Sequence, residues 1–197
     1  MDGAAGITTG AATIAAVGAG ISALVVLHRL PTGLSPVRDA VSHYGITPYR
    51  LGYRIQTLAY AAAGATAAVG IGIAAPGKPT ATVACCAVFA ASRALISWFP
   101  MDQPGTPHTT TGRRHGLLAL AAFAAAMLAA FHLGRQLDRA HVCHVIAATS
   151  IDLGWLMVAT LVGMVTVARV GWFGLVERLF YLGMTAWLVV AGVLLLR

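Results

Sequence analysis

Long apolar stretches separated by short polar segments occupy most of the 197-residue chain. Six of these stretches are predicted as helices, at residues 6–27, 51–74, 80–99, 115–134, 143–168 and 175–196. A helix of about 20 residues is about 30 Å long, which is the thickness of the hydrocarbon core of a bilayer. The short alternating segments typical of membrane β-barrels do not occur in the sequence. The pattern therefore predicts an all-α fold in which residues 1–197 form one integral membrane domain, a bundle of six transmembrane helices.

The composition places this bundle in a membrane rather than in water. Hydrophobic residues make up 58% of the chain and charged residues 10%, whereas a soluble domain has roughly 25% charged residues. The expected partner is the lipid bilayer, and we expect the helices to pack through alanine and glycine. The glycines expected at helix interfaces are Gly18, Gly20, Gly64, Gly70, Gly72 and Gly163.

The formal net charge of +7 would suggest a nucleic-acid partner in a soluble protein, but here membrane topology explains it. Nine basic residues lie in or beside loops one, three and five: Arg29, Arg38, Arg50, Arg54, Arg93, Arg113, Arg114, Arg169 and Arg178. The other four are Lys78, Arg135, Arg139 and Arg197. Positive charge is retained on the cytoplasmic side of a membrane. We therefore expect a multi-pass protein of the cell membrane with loops one, three and five in the cytoplasm and no nucleic-acid partner.

The same three loops carry most of the candidate chemistry. Loop one covers residues 29–54, loop three residues 97–116 and loop five residues 168–178. Long loops that carry special residues are where function usually lies. The side chains of interest on this face are Asp39, Ser42, Tyr44, Trp98, Asp102, His115 and Glu177.

Four short motifs carry a family resemblance. They are DAVSHYG at 39–45, the FPMD box at 99–102, the Gly-x-x-His step from Gly112 to His115, and the Glu-Arg pair at 177–178. At these motifs the chain resembles an uncharacterised family of bacterial six-helix integral membrane proteins, a domain of unknown function. The resemblance covers nearly the whole chain and implies six helices with a recurring Asp/Ser/Asp/His set. It implies no activity, because the family has none established.

The candidate catalytic residues are Asp39, Asp102, His115 and Glu177. In one interpretation, one of the two aspartates is a neutral general acid in an apolar setting and the other is a charged stabiliser. In the other interpretation, both cap helices or pair with nearby arginines. His115, expected at the start of helix four, either exchanges a proton with a carboxylate or is a plain interfacial histidine.

The candidate substrate-binding residues are Ser42, Tyr44, Arg93, Trp98 and Asp152. Arg93 lies about two turns inside helix three, where it either extends to the headgroups, pairs with Asp102 or holds an anionic group. Tyr44 and Trp98 either belong to an aromatic belt or line a pocket in which their rings stabilise a cation.

Polar residues elsewhere in the chain leave further alternatives open. Asp152 lies about eight residues into helix five, where a carboxylate is a functional candidate, unless it is protonated and bonded to Ser150 or Thr149. His141 and His144 are three residues apart, so one helical face would present both. Because such spacing is common, we expect no metal site and no cofactor.

The function that we expect is that of an integral membrane enzyme, a cyclase or isomerase acting on a hydrophobic small molecule. The specific expectation is proton-initiated cyclisation of a prenyl (terpenoid) substrate, because a buried acid can protonate an alkene or epoxide and aromatic rings can shelter the carbocation. Small integral membrane terpene cyclases are similar in size and architecture, but none of their motifs matches, so this is an analogy. The alternatives are a non-catalytic scaffold or assembly subunit and a small-molecule transporter, although the spans show no matching interrupted helices.

Overall fold

The computed structural model describes residues 3–167 and 170–197, so Arg169 and the last residue of the fifth predicted span lie outside the described part. Within that part the chain forms six α-helices and one 3-10 helix and contains no strand, which confirms the all-α prediction. The α-helices are α1 Gly3–Arg29, α2 Arg50–Ala74, α3 Thr80–Ile96, α4 Thr110–Arg139, α5 His144–Val167 and α6 Phe173–Leu195. The 3-10 helix, Val41–Ile46, lies in loop one.

Five helices, α1, α2, α4, α5 and α6, are long and apolar enough to cross a membrane. The chain is therefore a multi-pass membrane protein, as its apolar pattern predicts. Helix α3 is also apolar but has 17 residues, which corresponds to about 26 Å against roughly 30 Å for the hydrocarbon core. Length and composition thus identify five spans, and whether α3 also crosses depends on how it packs against α4.

The α-helices form a ring, because each packs against the next along the chain and α1 packs against α6. Several interfaces depend on small residues. A Cβ atom added at Gly10 of α1 would lie 2.7 Å from the carbonyl oxygen of Gly192 in α6, and one at Gly64 of α2 would lie 2.6 Å from the ring of Phe89 in α3. The expectation is wrong at Gly18, where no described residue lies within 4 Å of that position.

Helix α4 is longer at both ends than the apolar pattern predicts. It begins at Thr110 because Thr109 caps it, with the Thr109 hydroxyl accepting a hydrogen bond of 3.0 Å from the amide of Gly112. A cap of this kind satisfies an amide that has no partner within the helix. His115 consequently lies in the second turn of α4 rather than at its start.

The turn between α4 and α5 separates two histidines that were expected on one helical face. His141 and Cys143 have φ angles of 53° and 50°, in the left-handed region that does not continue a helix. Because α5 begins at His144, His141 and His144 belong to different local structures, and the expectation of a shared face is wrong.

Loops one, three and five meet at one end of the bundle. The amide of Leu175 donates a hydrogen bond of 2.9 Å to the carbonyl oxygen of Val37, which joins loop five to loop one. The hydroxyl of Ser42 donates to the sulfur of Met101 at 3.0 Å, which joins loop one to loop three. The candidate chemistry is therefore gathered on one face, as the loop order predicts.

Candidate functional site

A fully buried arginine, Arg93, lies among the polar groups inside the bundle. Its side chain is 1% exposed, and its Nη2 donates a hydrogen bond of 3.0 Å to Oε1 of Gln56 in α2. Its guanidinium lies over the rings of Tyr60 and Tyr181, 5.8 and 5.4 Å from their centroids. An amide oxygen and two aromatic faces thus stabilise a cation whose burial would otherwise be costly.

The surroundings of Arg93 exclude two of its three predicted roles. A guanidinium that extended to the headgroups would be exposed, so that interpretation is wrong. No ion pair joins Arg93 to Asp102 in residues 3–167 and 170–197, so the predicted pairing is wrong as well. The carboxylate that lies within electrostatic range of Arg93 inside the bundle is Glu177.

Glu177 is buried in the first turns of α6 and holds loop one against the helices. Its Oε2 accepts a hydrogen bond of 2.6 Å from the amide of Val41, the first residue of the 3-10 helix. The first amides of a helix have no partner within it, so a carboxylate is a favourable acceptor there. Tyr181 lies one helical turn after Glu177, and we call Gln56, Tyr60, Arg93, Glu177 and Tyr181 the central cluster.

Arg178, the neighbour of Glu177, joins three elements by hydrogen bonds. Its Nε donates a hydrogen bond of 2.8 Å to Nε2 of His28 in α1. Its Nη1 donates to the carbonyl oxygens of Asp39 and Gly174, both at 2.9 Å. These bonds fix loop one between α1 and α6, so Arg178 has a positioning role.

His115 lies beside the central cluster and is 7% exposed. Its Nδ1 is 2.7 Å from the carbonyl oxygen of Phe99, and because a carbonyl oxygen can only accept, Nδ1 carries the proton. Arg93, Asp102 and His43 lie within its electrostatic range. His115 therefore lies between the central cluster and the loops. It is a buried, hydrogen-bonded side chain rather than a histidine at the membrane surface.

His43, on the 3-10 helix, is a candidate that the sequence analysis did not select. Both of its ring nitrogens are buried without a hydrogen-bond partner among the described residues. Oδ1 of Asp39 lies 3.7 Å from its Nδ1, which is too far for a hydrogen bond. Burial lowers the pKa of His43, and the charge of Asp39 opposes this shift. A buried neutral imidazole with no partner is unusual enough to be a functional candidate.

The two aspartates of the predicted acid pair both stabilise loops. Oδ2 of Asp39 accepts a hydrogen bond of 2.7 Å from the amide of Ser35. Asp102 accepts from the amide and the hydroxyl of Thr109, at 3.0 and 2.6 Å. These bonds from Thr109 lower the pKa of Asp102, so its carboxylate is ionised at neutral pH. The positions favour the capping interpretation, and a catalytic role for either residue stays a prediction.

The predicted substrate-binding residues are scattered. Tyr44 is buried and packs edge-on against His28, with ring centroids 5.7 Å apart. Trp98 is 52% exposed, and the guanidinium of Arg54 lies 4.7 Å from its ring. Ser42, bonded to Met101, lies in the contact between loops one and three. Their part in substrate binding stays a prediction.

Asp152 is exposed on α5. No hydrogen bond joins it to Ser150 or Thr149 in the part of the chain that the structure describes, and the hydroxyl of Ser150 is itself buried without a partner there. The proposed local hydrogen bond of a protonated Asp152 is therefore wrong.

Three members of the central cluster, Gln56, Tyr60 and Tyr181, were not predicted, although the sequence contains a signal for them. Gln56 and Tyr60 are four residues apart within the apolar stretch of α2, as are Glu177 and Tyr181 in α6. Residues at this spacing lie on one face of a helix. A polar face repeated in two apolar helices is costly in a bilayer unless the two faces meet.

A groove of about 230 Å³ opens between α1 and α6 beside this cluster. Its mouth is lined by Ile21, Val25 and Leu182, whose exposed side chains would face lipid. Its lining also includes Tyr60 and Tyr181 of the central cluster. The groove thus connects the apolar surface of the protein to two of the tyrosines that surround Arg93.

The part of the chain that the structure describes contains no group of three side chains able to hold a metal ion. No curated protein and no solved structure matches the sequence. A family match extends over residues 14–194, which is nearly the whole bundle including every member of the central cluster. The chain belongs to the family described as "Protein of unknown function (DUF998)".

Proposed function

We propose that this protein is an integral membrane enzyme that acts on a lipid-soluble substrate by acid–base chemistry. The observation that carries the proposal is the groove between α1 and α6, which leads from the apolar surface to Tyr60 and Tyr181. A hydrophobic substrate would enter laterally from the bilayer and place its apolar part between Ile21, Val25 and Leu182. Sites for small molecules are mostly apolar with a few polar groups that set orientation, and this groove fits that description.

Two unpartnered donors support a polar end on the substrate. Nε of Arg93 and Nε2 of Gln56 are buried without an acceptor in hydrogen-bond geometry among the described residues, although the hydroxyl of Tyr181 lies close to both side chains. Buried donors in native proteins nearly always have an acceptor. An oxygen atom of the substrate would satisfy them, and the cluster would then orient that oxygen.

Glu177 is the proposed acid–base residue. It lies one turn from Tyr181 on α6, and a carboxyl group donates a proton when neutral and accepts one when ionised. Proton-initiated cyclisation of a prenyl substrate is the reaction that we propose within this class. A carboxyl donor one helical turn from Tyr181, whose ring lines the groove, supports this reaction. Arg93 and Gln56 would be positioning residues.

The proposal includes six crossings of the membrane. Before α3 begins, the carbonyl oxygen of Pro76 accepts a hydrogen bond of 2.5 Å from Gln136, near the end of α4. After α3 ends, the carbonyl oxygen of Phe99 is bonded to His115, near the start of α4. The ends of α3 therefore match opposite ends of α4, a span of 30 residues. This supports a crossing by α3 despite its 17 residues.

The proposed orientation places the end with loops one, three and five in the cytoplasm of the cell. Its basis is the distribution of positive charge, nine residues against four, because basic loops resist translocation. Glu177 and His115 lie toward this end, whereas the groove faces the bilayer. A soluble proton carrier on the cytoplasmic side would then be close to the acid–base residue.

The test uses purified full-length protein in detergent or in vesicles, supplied with prenyl alcohols and prenylated epoxides and analysed for cyclised or isomerised products. Glu177→Gln retains an acceptor for the amide of Val41 but removes the acidic proton. Turnover should fall by a factor on the order of 10²–10⁴.

Asp138→Asn is the matched control, since it also replaces a carboxylate by an amide but at an exposed position near the end of α4. It should retain wild-type turnover. If no prenyl substrate turns over, the cyclisation reaction is refuted. If Glu177→Gln matches the wild type, the acid–base role of Glu177 is refuted, and a scaffold becomes the better account.

A further inference from the structure

A second cavity, of about 500 Å³, lies at the end of the bundle opposite to the central cluster. It lies between loop two and the last turns of α4, and its basic lining residues are Lys78, His132, Arg135 and Arg139. Small-molecule sites have volumes of roughly 300–1,000 Å³. The cavity is therefore large enough for a ligand and is independent of the groove between α1 and α6.

The cations around this cavity have no acidic partner in its lining. Its lining contains no aspartate or glutamate, and none of Lys78, Arg135 and Arg139 forms an ion pair within residues 3–167 and 170–197. Cations brought together around one space repel each other, and an anion between them removes that repulsion. The C-terminal dipole of α4 favours Arg139 in its last turn, but it does not account for Lys78 on loop two.

The polar floor of the cavity is fixed by hydrogen bonds. The side chain of Gln136 donates to the carbonyl oxygen of Pro76 at 2.5 Å and accepts from the hydroxyl of Thr82 at 3.5 Å. These bonds hold loop two and the start of α3 against α4. The N-terminus of α3, where Pro79 provides no side-chain cap, adds the positive end of a helix dipole.

We propose that this cavity binds a phosphate-bearing anion, either the headgroup of an anionic phospholipid or a soluble phosphate compound. Two arginines and a lysine suit this chemistry, because the guanidinium fork donates two parallel hydrogen bonds to phosphate oxygens. The cavity lies at the end of a membrane-spanning helix, where both lipid headgroups and soluble phosphate compounds can reach it.

The experiment follows thermal unfolding of the full-length protein in a neutral detergent by tryptophan fluorescence. One arm titrates inorganic phosphate at constant ionic strength, and the other titrates phosphatidylglycerol against phosphatidylcholine in mixed micelles. A ligand that binds the native state raises the unfolding temperature with its concentration. A rise with phosphate identifies a soluble ligand, whereas a rise with phosphatidylglycerol alone identifies a lipid headgroup.

The double variant Arg135→Gln with Arg139→Gln should raise the half-saturating concentration by at least about tenfold, since each lost charged hydrogen bond weakens binding by roughly that factor. The matched control is Arg38→Gln with Arg113→Gln, which removes the same charge from exposed positions at the opposite end. The control should bind like the wild type.

A variant that keeps both charges separates folding from binding. Arg135→Lys with Arg139→Lys loses the bidentate geometry and should bind more weakly than the wild type but more tightly than the glutamine pair. If the glutamine pair does not fold, wild-type affinity of the lysine pair refutes the proposal. Equal losses in the control pair refute it, and so does the absence of any rise in unfolding temperature with both phosphate and phosphatidylglycerol.

Discussion

Nη2 of Arg93 donates a hydrogen bond of 3.0 Å to Oε1 of Gln56, and this bond joins α3 to α2 in the interior of the bundle. Both side chains are buried, at 1% and 0% exposure. The cation is therefore stabilised by a neutral amide and two aromatic rings, with Glu177 at longer range. Nε of Arg93 is left without an acceptor in hydrogen-bond geometry among the described residues, and the proposed binding of a polar substrate uses this donor.

Gln56→Leu should destabilise the protein, because it removes an acceptor from a buried cation while keeping a similar side-chain volume. A hydrogen bond to a charged group contributes about 1.5–3 kcal/mol, so we expect a loss of about 2 kcal/mol in the free energy of unfolding. Denaturant unfolding in detergent micelles measures it. Gln103→Leu, an exposed position in loop three, is the matched control and should change little. Equal stability of the two variants would show that the bond to Arg93 contributes nothing.

The spans were predictable from sequence because a segment that crosses the bilayer must be a continuous hydrophobic helix. This requirement depends only on local sequence. The start of α4 was not, because the residues around Thr110 are polar. That start depends on Thr109, whose position is held by hydrogen bonds to Asp102, seven residues earlier in the chain. The fourth predicted span ends at residue 134, whereas α4 continues to Arg139. The turn that follows depends on the left-handed backbone conformation of His141 and Cys143, which the apolar pattern does not reveal.

The candidate site was predictable where a charge falls inside an apolar stretch, as at Arg93 and Glu177. Their partners were not predictable, because Gln56 lies 37 residues from Arg93 and Val41 lies 136 residues from Glu177. Only the packing of α2, α3 and α6 brings these groups together. The hydrogen-bond partners of Asp39 and Asp102 are local by contrast, at Ser35 and Thr109, and a catalytic role for either aspartate stays a prediction.

The start of α4 should lose protection in acid. Hydrogen bonds from Thr109 lower the pKa of Asp102 from its ordinary value of 3.8. A carboxylate whose pKa is lower in the folded state contributes stability above its unfolded pKa and loses that contribution as the pH falls through the folded pKa. We expect faster amide exchange at Gly112 and Arg113 below about pH 4, after correction for the intrinsic pH dependence of exchange.

Asp102→Asn should remove this pH dependence, because the amide does not titrate in that range. Asp138→Asn, which leaves the cap intact, should retain the wild-type profile. A profile unchanged by Asp102→Asn would assign the acid sensitivity of this helix end to another group.

The 3-10 helix of loop one should detach at a higher pH than the start of α4. Burial holds the pKa of His43 below its ordinary value of 6.5, although the charge of Asp39 opposes the shift. Above pH 6.5 the imidazole is neutral in both states, and as the pH falls below that value the unfolded segment binds the proton more readily, so stability is lost. Amide exchange across Val41–Ile46 should therefore accelerate as the pH falls below about 6.5.

His43→Phe should flatten that profile, since phenylalanine does not titrate and keeps an aromatic ring in the buried position. His108→Gln is the control, because His108 is 90% exposed in loop three and its loss should leave the profile of Val41–Ile46 unchanged. Asp39→Asn should steepen the response, since it removes the negative charge that favours the protonated imidazole. If amide exchange across Val41–Ile46 in the wild type does not depend on pH in this range, both ring nitrogens of His43 have hydrogen-bond partners in solution.

The proposed topology makes a position-by-position prediction that also decides whether α3 crosses the membrane. Reporter fusions or cysteine labels at Lys78 in loop two and Asp138 at the end of α4 should be accessible from outside, and those at Pro36 in loop one and Thr110 at the start of α4 from the cytoplasm. The proposed orientation rests on the positive charge of loops one, three and five. The bonds of Gln136 to Pro76 and of His115 to Phe99 require that α3 connect opposite ends of α4. If Lys78 and Thr110 are accessible from the same side, the crossing by α3 is refuted. If all four positions exchange sides, the six spans are kept and the orientation is reversed, with Glu177 toward the exterior and the basic cavity toward the cytoplasm.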